Sequence, residues 1–388
     1  MAVLVTEVGP RAPNRSVRTR SILGGLALLV LLPSCGGGGA EEPLRVPRVT
    51  ASNDPSVLAT INEQVGELQV DADRLYWIGT AENGRYETGA LRSCEKRNCA
   101  ASLVTYDGSG VVSQAGFGLA NGQLSWFQLS DDPREWTLLT CQVAACAGSK
   151  KTLARALSFS YRAPAVFAPD WVYFQNSASL YRISLASGGK PHFVALLQGD
   201  LTSLAAEGDY LYWLDVHSVD ANHSVNVATL RRARVDGSAV PEILAAGLKF
   251  DWGPDFAGLL LPPRNLAADA SHVFWSQPGT VAGIARCPLA GCAGTPELFA
   301  QPIPQPAAFS FDQKGLYWIQ SNATSPRALS GCALDRCAIP AAAIASNIDA
   351  ANAVTIDEEY VYTATGDVPV TWQLRPVSVT AQLRRFPR

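Results

Sequence analysis

Histidine is scarce: the chain has four, His192, His217, His223 and His272, and none stands in a helical metal-ligand spacing such as H-E-x-x-H. A G-x-S-x-G nucleophile elbow, a glycine-rich phosphate loop and a C-x2-C zinc knuckle are also missing. The chemistry those motifs carry has no foothold here. Basic runs interleaved with aromatics are absent, and the net charge is −3, which argues against nucleic acid as a partner. Long apolar runs are lacking too. The longest, Ile22 to Leu32, covers about eleven residues, short of the ~20 a spanning helix needs, so no transmembrane helix is expected.

What the N-terminus does contain is an export pattern. Arg11, Arg15, Arg18 and Arg20 precede the apolar run, which stops at Pro33-Ser34-Cys35. Residues 1–34 read as a signal peptide. Leu32-Pro33-Ser34-Cys35 resembles a bacterial lipobox, with Cys35 as the lipidated residue and a cleaved signal with a spare cysteine as the alternative. Residues 35–50 then form a lipidated cysteine and flexible tether, because Gly36-Gly37-Gly38-Gly39 has no side chains to pack. Gly36 after the cysteine implies outer-membrane sorting, periplasmic or surface-exposed. Loss of four arginines and Glu7 takes the net charge from −3 to −6.

The remainder, residues 51–388, repeats. Seven segments end in an aromatic pair or its counterpart: Leu75-Tyr76-Trp77, Leu124-Ser125-Trp126, Val172-Tyr173-Phe174, Leu211-Tyr212-Trp213, Val273-Phe274-Trp275, Leu316-Tyr317-Trp318 and Val361-Tyr362-Thr363. Their third residues lie 49, 48, 39, 62, 43 and 45 apart, close to the ~40–50 residues of one four-stranded propeller blade. Acidic residues such as Asp71, Glu207, Asp269, Asp312 and Asp357 stand four or five positions before the pair, where a tight turn joins two strands. The expected fold is all-β: a single seven-bladed β-propeller domain, with six blades as the alternative should the second repeat prove irregular. Ser56 to Thr60 looks like an outer strand without a blade, and the last repeat lacks one; pairing them would close the ring and remove two open edges. The aromatic pairs are read as packing between blades.

Cysteines form a second repeat. Cys94/Cys99, Cys141/Cys146, Cys287/Cys292 and Cys332/Cys337 each bracket four residues at the same point in a repeat, and in two repeats both positions are lost together. Bonded partners should be lost jointly, since a lone thiol in an oxidising compartment is a liability. Four local disulfides are expected, each clipping the hairpin between the third and fourth strands. A zinc site built from these pairs is the competing reading, disfavoured because pairs on separate repeats would not converge.

The Asp-x-x-x-Leu-Tyr-Trp pattern, followed by a strand and a turn with Asp236-Gly237, resembles the YWTD-type propellers of low-density lipoprotein receptors and predicted lipoproteins of soil bacteria, over roughly residues 50 to 380. The resemblance implies the fold and leaves the activity open, since the fourth motif residue survives only as Asp215.

Two departures from the mean repeat are candidate sites. Asp215, His217, Asp220 and His223 could hold a cation, or belong to a solvated hairpin extension. Trp252 and Phe256 lie in the longest insertion and could grip a ligand, or fold back onto the domain. No cofactor and no catalytic residue is indicated. Two functions follow. The first is a lipid-anchored, non-catalytic binding or scaffold module at the cell envelope, partnered by the membrane and by an envelope protein, peptide or glycan. The second is an envelope enzyme, a lactonase-like hydrolase or a lyase, working at the channel mouth.

Overall fold

The structure, a computed structural model, describes residues 47, 49–80, 88–130, 135–158, 164–218, 226–250, 265–277, 283–292, 295–301, 306–320, 327–337, 341–348, 351–366 and 380–388. Every described strand belongs to the unit Pro43–Arg388.

The first repeat shows how these residues build a sheet. Gln64–Val70 turns at Asp71 to Asp73 and returns as Arg74–Thr80, which Thr88–Glu95 and then Val104–Ala120 extend, each antiparallel to the one before. Neighbouring residues on a strand face opposite ways. Tyr76 and Trp77 are both fully buried, so both faces of the sheet are covered. This explains why the second strand reads as a continuous apolar run rather than an alternation.

Val104–Ala120 serves two repeats. Its first part pairs with Thr88–Glu95 and its second with Gln123–Leu129, so repeats one and two share one seven-stranded sheet that continues through Trp136–Gln142 to Lys151–Leu157. The bend between the two parts falls at Gly116, whose φ of 125° favours glycine. A Cβ there would meet the Glu67 carboxylate at 2.7 Å.

Four further sheets are four-stranded meanders: Val166–Phe167 to Gly188–Leu196, Asp200–Glu207 to Glu242–Phe250, Leu266–Ala268 to Glu297–Ala300, and Pro306–Asp312 to Ala342–Ile348. The last sheet takes Ala351–Ile356, Tyr360–Gly366 and Ala381–Pro387 from the C-terminal end, and Val57–Ile61 and Val49–Thr50 from the other. Val57 pairs with Arg384 and Thr60 with Gln382, so an N-terminal strand completes the last repeat, as its sequence suggests.

Among the described residues, seven core clusters lie between successive repeats. Phe127, Leu138 and Leu153 of the second meet Val172, Phe174 and Ile183 of the third, for example. Tyr362 and Leu383 of the last meet Leu75 and Trp77 of the first, so the packing returns to its start. Trp77, Trp126, Trp213, Trp275 and Trp318 are all fully buried, which bears out the packing role of the anchors. Truncating one such residue to Ala typically costs about 3–5 kcal/mol.

The four disulfides join the expected partners, Cys94–Cys99, Cys141–Cys146, Cys287–Cys292 and Cys332–Cys337. Each spans the connection from a third to a fourth strand. By loop-closure entropy a ring this short contributes about 2 kcal/mol. Disulfides at this density belong to an oxidising, extracytoplasmic compartment. Among the described residues no helix is long and apolar enough to cross a membrane.

Candidate functional site

In an antiparallel meander the first-to-second and third-to-fourth connections lie at one edge of the sheet, and the other two kinds at the opposite edge. The two edges here are built differently.

The first edge is tight. Asp71 Oδ1 accepts the backbone N–H groups of Asp73 and Arg74 at 2.9 and 2.7 Å, while Oδ2 accepts the Tyr76 hydroxyl at 2.6 Å. Asp357 repeats the arrangement with Glu359, Tyr360 and Tyr362. Asp269 accepts from Ser271 and His272, and Asp312 from Lys314 and Gly315. The acidic residue of the repeat is therefore a turn device that also holds the anchor tyrosine in two repeats. Lys96 of the first repeat reaches Asp357 of the last at 2.8 Å, and Arg388 reaches Asp312 of the sixth. Burial pushes the Asp357 carboxyl up, but Lys96, the Tyr362 hydroxyl and the two backbone N–H groups outweigh it and hold it at about 2.

The second edge carries the two longest connections, Phe250 to Leu266 and Gly366 to Ala381. These two, and the connections between Thr80 and Thr88 and between Ser218 and Asn226, contain segments outside the described residues. Trp252, Phe256, Asp220 and His223 fall there, as does the side chain of His217; Cys35 also lies outside the described residues. Asp215 is described and buried. Its carboxylate takes Arg231 Nε at 2.6 Å and the Trp213 indole N–H at 3.0 Å. Arg231 also donates to Gln198 Oε1 at 2.7 Å. Burial raises the Asp215 carboxyl, with Arg231 opposing. Among the described residues no three of His, Cys, Asp and Glu come together as a cation site.

Sequence reasoning missed two relatives of that ion pair. Glu63, 1% exposed, accepts the Trp77 indole N–H at 2.7 Å and Arg92 Nε at 3.1 Å. Burial drives the Glu63 carboxyl up against the pull of Arg92. Gly79 makes room for it, since a Cβ there would fall 2.2 Å from the Glu63 carboxyl carbon. Asp107 accepts the Trp126 indole N–H at 3.1 Å and Lys150 Nζ at 3.0 Å. One signal was present: Arg92 and Arg231 stand at matched register, each opposite its repeat's tryptophan. All three carboxylates are engaged by an indole and a base, which suits a structural fastener better than a proton-transfer group. In the fifth and sixth repeats the Trp275 and Trp318 indole nitrogens have no acceptor among the described residues, and Gln277 Oε1, two residues past Trp275 as Asp215 is past Trp213, has no donor there.

Inner strands supply little chemistry. Glu67 accepts the Phe117 N–H at 3.2 Å and Gln69 Nε2 at 3.0 Å, bridging the first and second repeats. A small cavity at the start of the third repeat, lined by Gly118, Gln123, Ser125, Phe167 and Leu185, has room for about 10 Å³ of water-sized occupant.

A closed series of antiparallel sheets packed through matched aromatic anchors defines a β-propeller. Solved structures agree. The β-propeller domain of the Trilobed protease from Pyrococcus furiosus, described as having an open velcro topology, superposes with a TM-score of 0.53 at 8% identity, covering 84% of this chain and 93% of that one. A prolyl endopeptidase gives 0.51 at 12% identity over 80% of this chain, which spans 47% of the endopeptidase. At these identities the likeness is one of fold. No family model matches the sequence, and no curated protein matches it.

Proposed function

We propose that the protein is a seven-bladed, YWTD-like propeller held at the bacterial cell envelope by a lipid on Cys35, and that it binds or scaffolds a protein, peptide or glycan through its loop-bearing edge without catalysing a reaction. The observation that carries this reading is the asymmetry of the two edges. One is sealed by aspartate turns, disulfides and ion pairs between repeats, whereas the other carries the two longest connections, Phe250 to Leu266 and Gly366 to Ala381, on a rigid frame, the usual placement of recognition surfaces. Seven anchors and seven core clusters support the blade count. The described carboxylates support binding over catalysis, because indoles and bases already engage Glu63, Asp107 and Asp215.

The test is capture of envelope proteins and wall fragments on the immobilised protein, comparing wild type with a Trp252→Ala/Phe256→Ala variant. Lost capture with unchanged melting is expected. Capture equal to wild type would remove this segment as the contact. Turnover of a lactone or an acidic polysaccharide by the purified protein would replace the binding reading with the enzyme one. Cys35→Ser should move the protein into the aqueous phase of a detergent partition; continued membrane association would remove the acyl anchor.

A further inference from the structure

Charge is unevenly spread along the chain. Residues 136–199 hold six basic side chains, Lys150, Lys151, Arg155, Arg162, Arg182 and Lys190, against a single acidic one, Asp170, in a protein whose net charge is −3. No basic run marks this in the sequence, because the residues are scattered over three strands and the connections between strands.

The fold gathers half of them. Lys151–Leu157 is the terminal strand of the seven-stranded sheet, and Gly188–Leu196 is the terminal strand of the sheet that follows. The two are neighbours, with Gly188 set against the backbone of Leu153 so closely that a Cβ would meet its carbonyl oxygen at 2.3 Å. Lys151, Arg155, Lys190 and His192 are exposed on this rim. Neither strand contains an acidic residue. Lys151, Arg155 and Lys190 have no acidic partner among the described residues. Phe193 and Leu196 lie on the same strand as Lys190 and are 51% and 63% exposed. Behind, Arg182 stacks 4.1 Å over the Trp171 ring, which meets the His192 ring in a T-shaped contact. The acid near Arg182 is Asp236, on the turn of the next repeat.

Terminal strands form the outer rim of a propeller, which is convex. A short glycan needs a concavity to bury its surface, and a peptide added to the edge of a terminal strand is held by its backbone groups rather than by the cations. A bilayer needs no concavity: headgroup phosphates can meet the cations while Phe and Leu enter the acyl boundary. We propose that the rim formed by Lys151–Leu157 and Gly188–Leu196 docks on an anionic lipid surface. This contact is separate from the acyl anchor and would turn a defined side of the propeller toward the membrane.

The experiment uses Pro43–Arg388, which contains every described strand, core cluster and disulfide and lacks both Cys35 and the apolar leader. It is floated with vesicles of phosphatidylcholine alone or mixed with phosphatidylglycerol, at low and high salt. Binding to the anionic vesicles only, weakening with salt, is expected. At about fivefold per cation near such a surface, Lys151→Glu/Arg155→Glu/Lys190→Glu should weaken it by about a hundredfold or more. Phe193→Ser should weaken binding to anionic vesicles without altering its salt dependence. Melting curves must match wild type, and Lys314→Glu, remote in the sixth repeat, must bind as wild type does. No preference for anionic vesicles would overturn the proposal, as would a triple variant that still binds. Retention on a soluble acidic polysaccharide without vesicle binding would assign the rim to a glycan instead. Should the lysines only guard a sheet edge against pairing with other chains, the triple variant self-associates and wild type ignores lipid charge, which also overturns it.

Discussion

Five tryptophans occupy equivalent positions, yet their indole N–H groups meet different fates. Those of Trp77, Trp126 and Trp213 end on Glu63, Asp107 and Asp215, whereas those of Trp275 and Trp318 find no acceptor among the described residues. Replacing Trp by Phe removes the N–H and a similar slice of volume in every case, so comparing two sites isolates the hydrogen bond. Trp77→Phe strips a donor from a buried carboxylate. It should cost about 1–3 kcal/mol more than Trp318→Phe, which removes only an unpartnered donor. Urea unfolding of both variants measures the difference; equal costs would show that the Glu63 contact contributes nothing net. The tryptophans were legible in the sequence and their carboxylates were not. The acceptor lies fourteen residues before Trp77, nineteen before Trp126 and two after Trp213. A requirement set by position in space, and met from three places in the chain, leaves no fixed spacing to read.

At the level of the hairpin, pattern and structure agree more closely, because the turn's needs are local. An aspartate that accepts two backbone N–H groups must sit two and three residues before them, and the same geometry delivers Tyr76 or Tyr362 to its second oxygen. The cysteine spacing was readable for the same reason, as a ring closed within one connection. What the sequence did not announce is that Asp357 also ties the ends of the fold together through Lys96. This tie makes its titration informative. Its carboxyl is held at about 2, below the ordinary 3.8, so the unfolded chain binds the proton more readily. The stabilisation is complete above about pH 4 and is lost as pH falls toward about 2. Asp357→Asn keeps an acceptor for the turn but discards the charge. The variant should melt lower than wild type at pH 6, and the gap should close by pH 2, as followed by circular dichroism. A gap independent of pH would mean the carboxylate's charge is immaterial and only the turn geometry counts.

Across the whole molecule, the ring was legible because each repeat announces itself, whereas features that depend on neighbours were hidden. The merging of the first two repeats into one sheet turns on a bend at Gly116, and the basic rim on the adjacency of two terminal strands. Closure is the global feature with the sharpest consequence. Every other repeat is a continuous hairpin chain, but the last one holds its outer strand only through pairing between segments more than 300 residues apart, such as Thr60 with Gln382 and Val57 with Arg384. Arg384 adds hydrogen bonds to Asp54 at 3.2 Å and Ser56 at 2.9 Å, fixing one end of the closing strand. Without this strand Ala381–Pro387 becomes an open edge, and the cluster that joins the last repeat to the first loses Ala59 and Ile61. Opening of the ring should therefore begin here, ahead of any separation within a repeat. A Thr60→Cys/Gln382→Cys cross-link would bridge this seam without touching the rest. By chain entropy so long a loop approaches the upper end of the range, up to about 5 kcal/mol. The oxidised variant should unfold at clearly higher guanidinium than wild type. Cleaving the engineered bond with a mild reductant, under conditions in which mass spectrometry shows all four native disulfides intact, should return it to the wild-type midpoint. An oxidised midpoint equal to wild type would place the first break elsewhere and demote the terminal strand from latch to ornament.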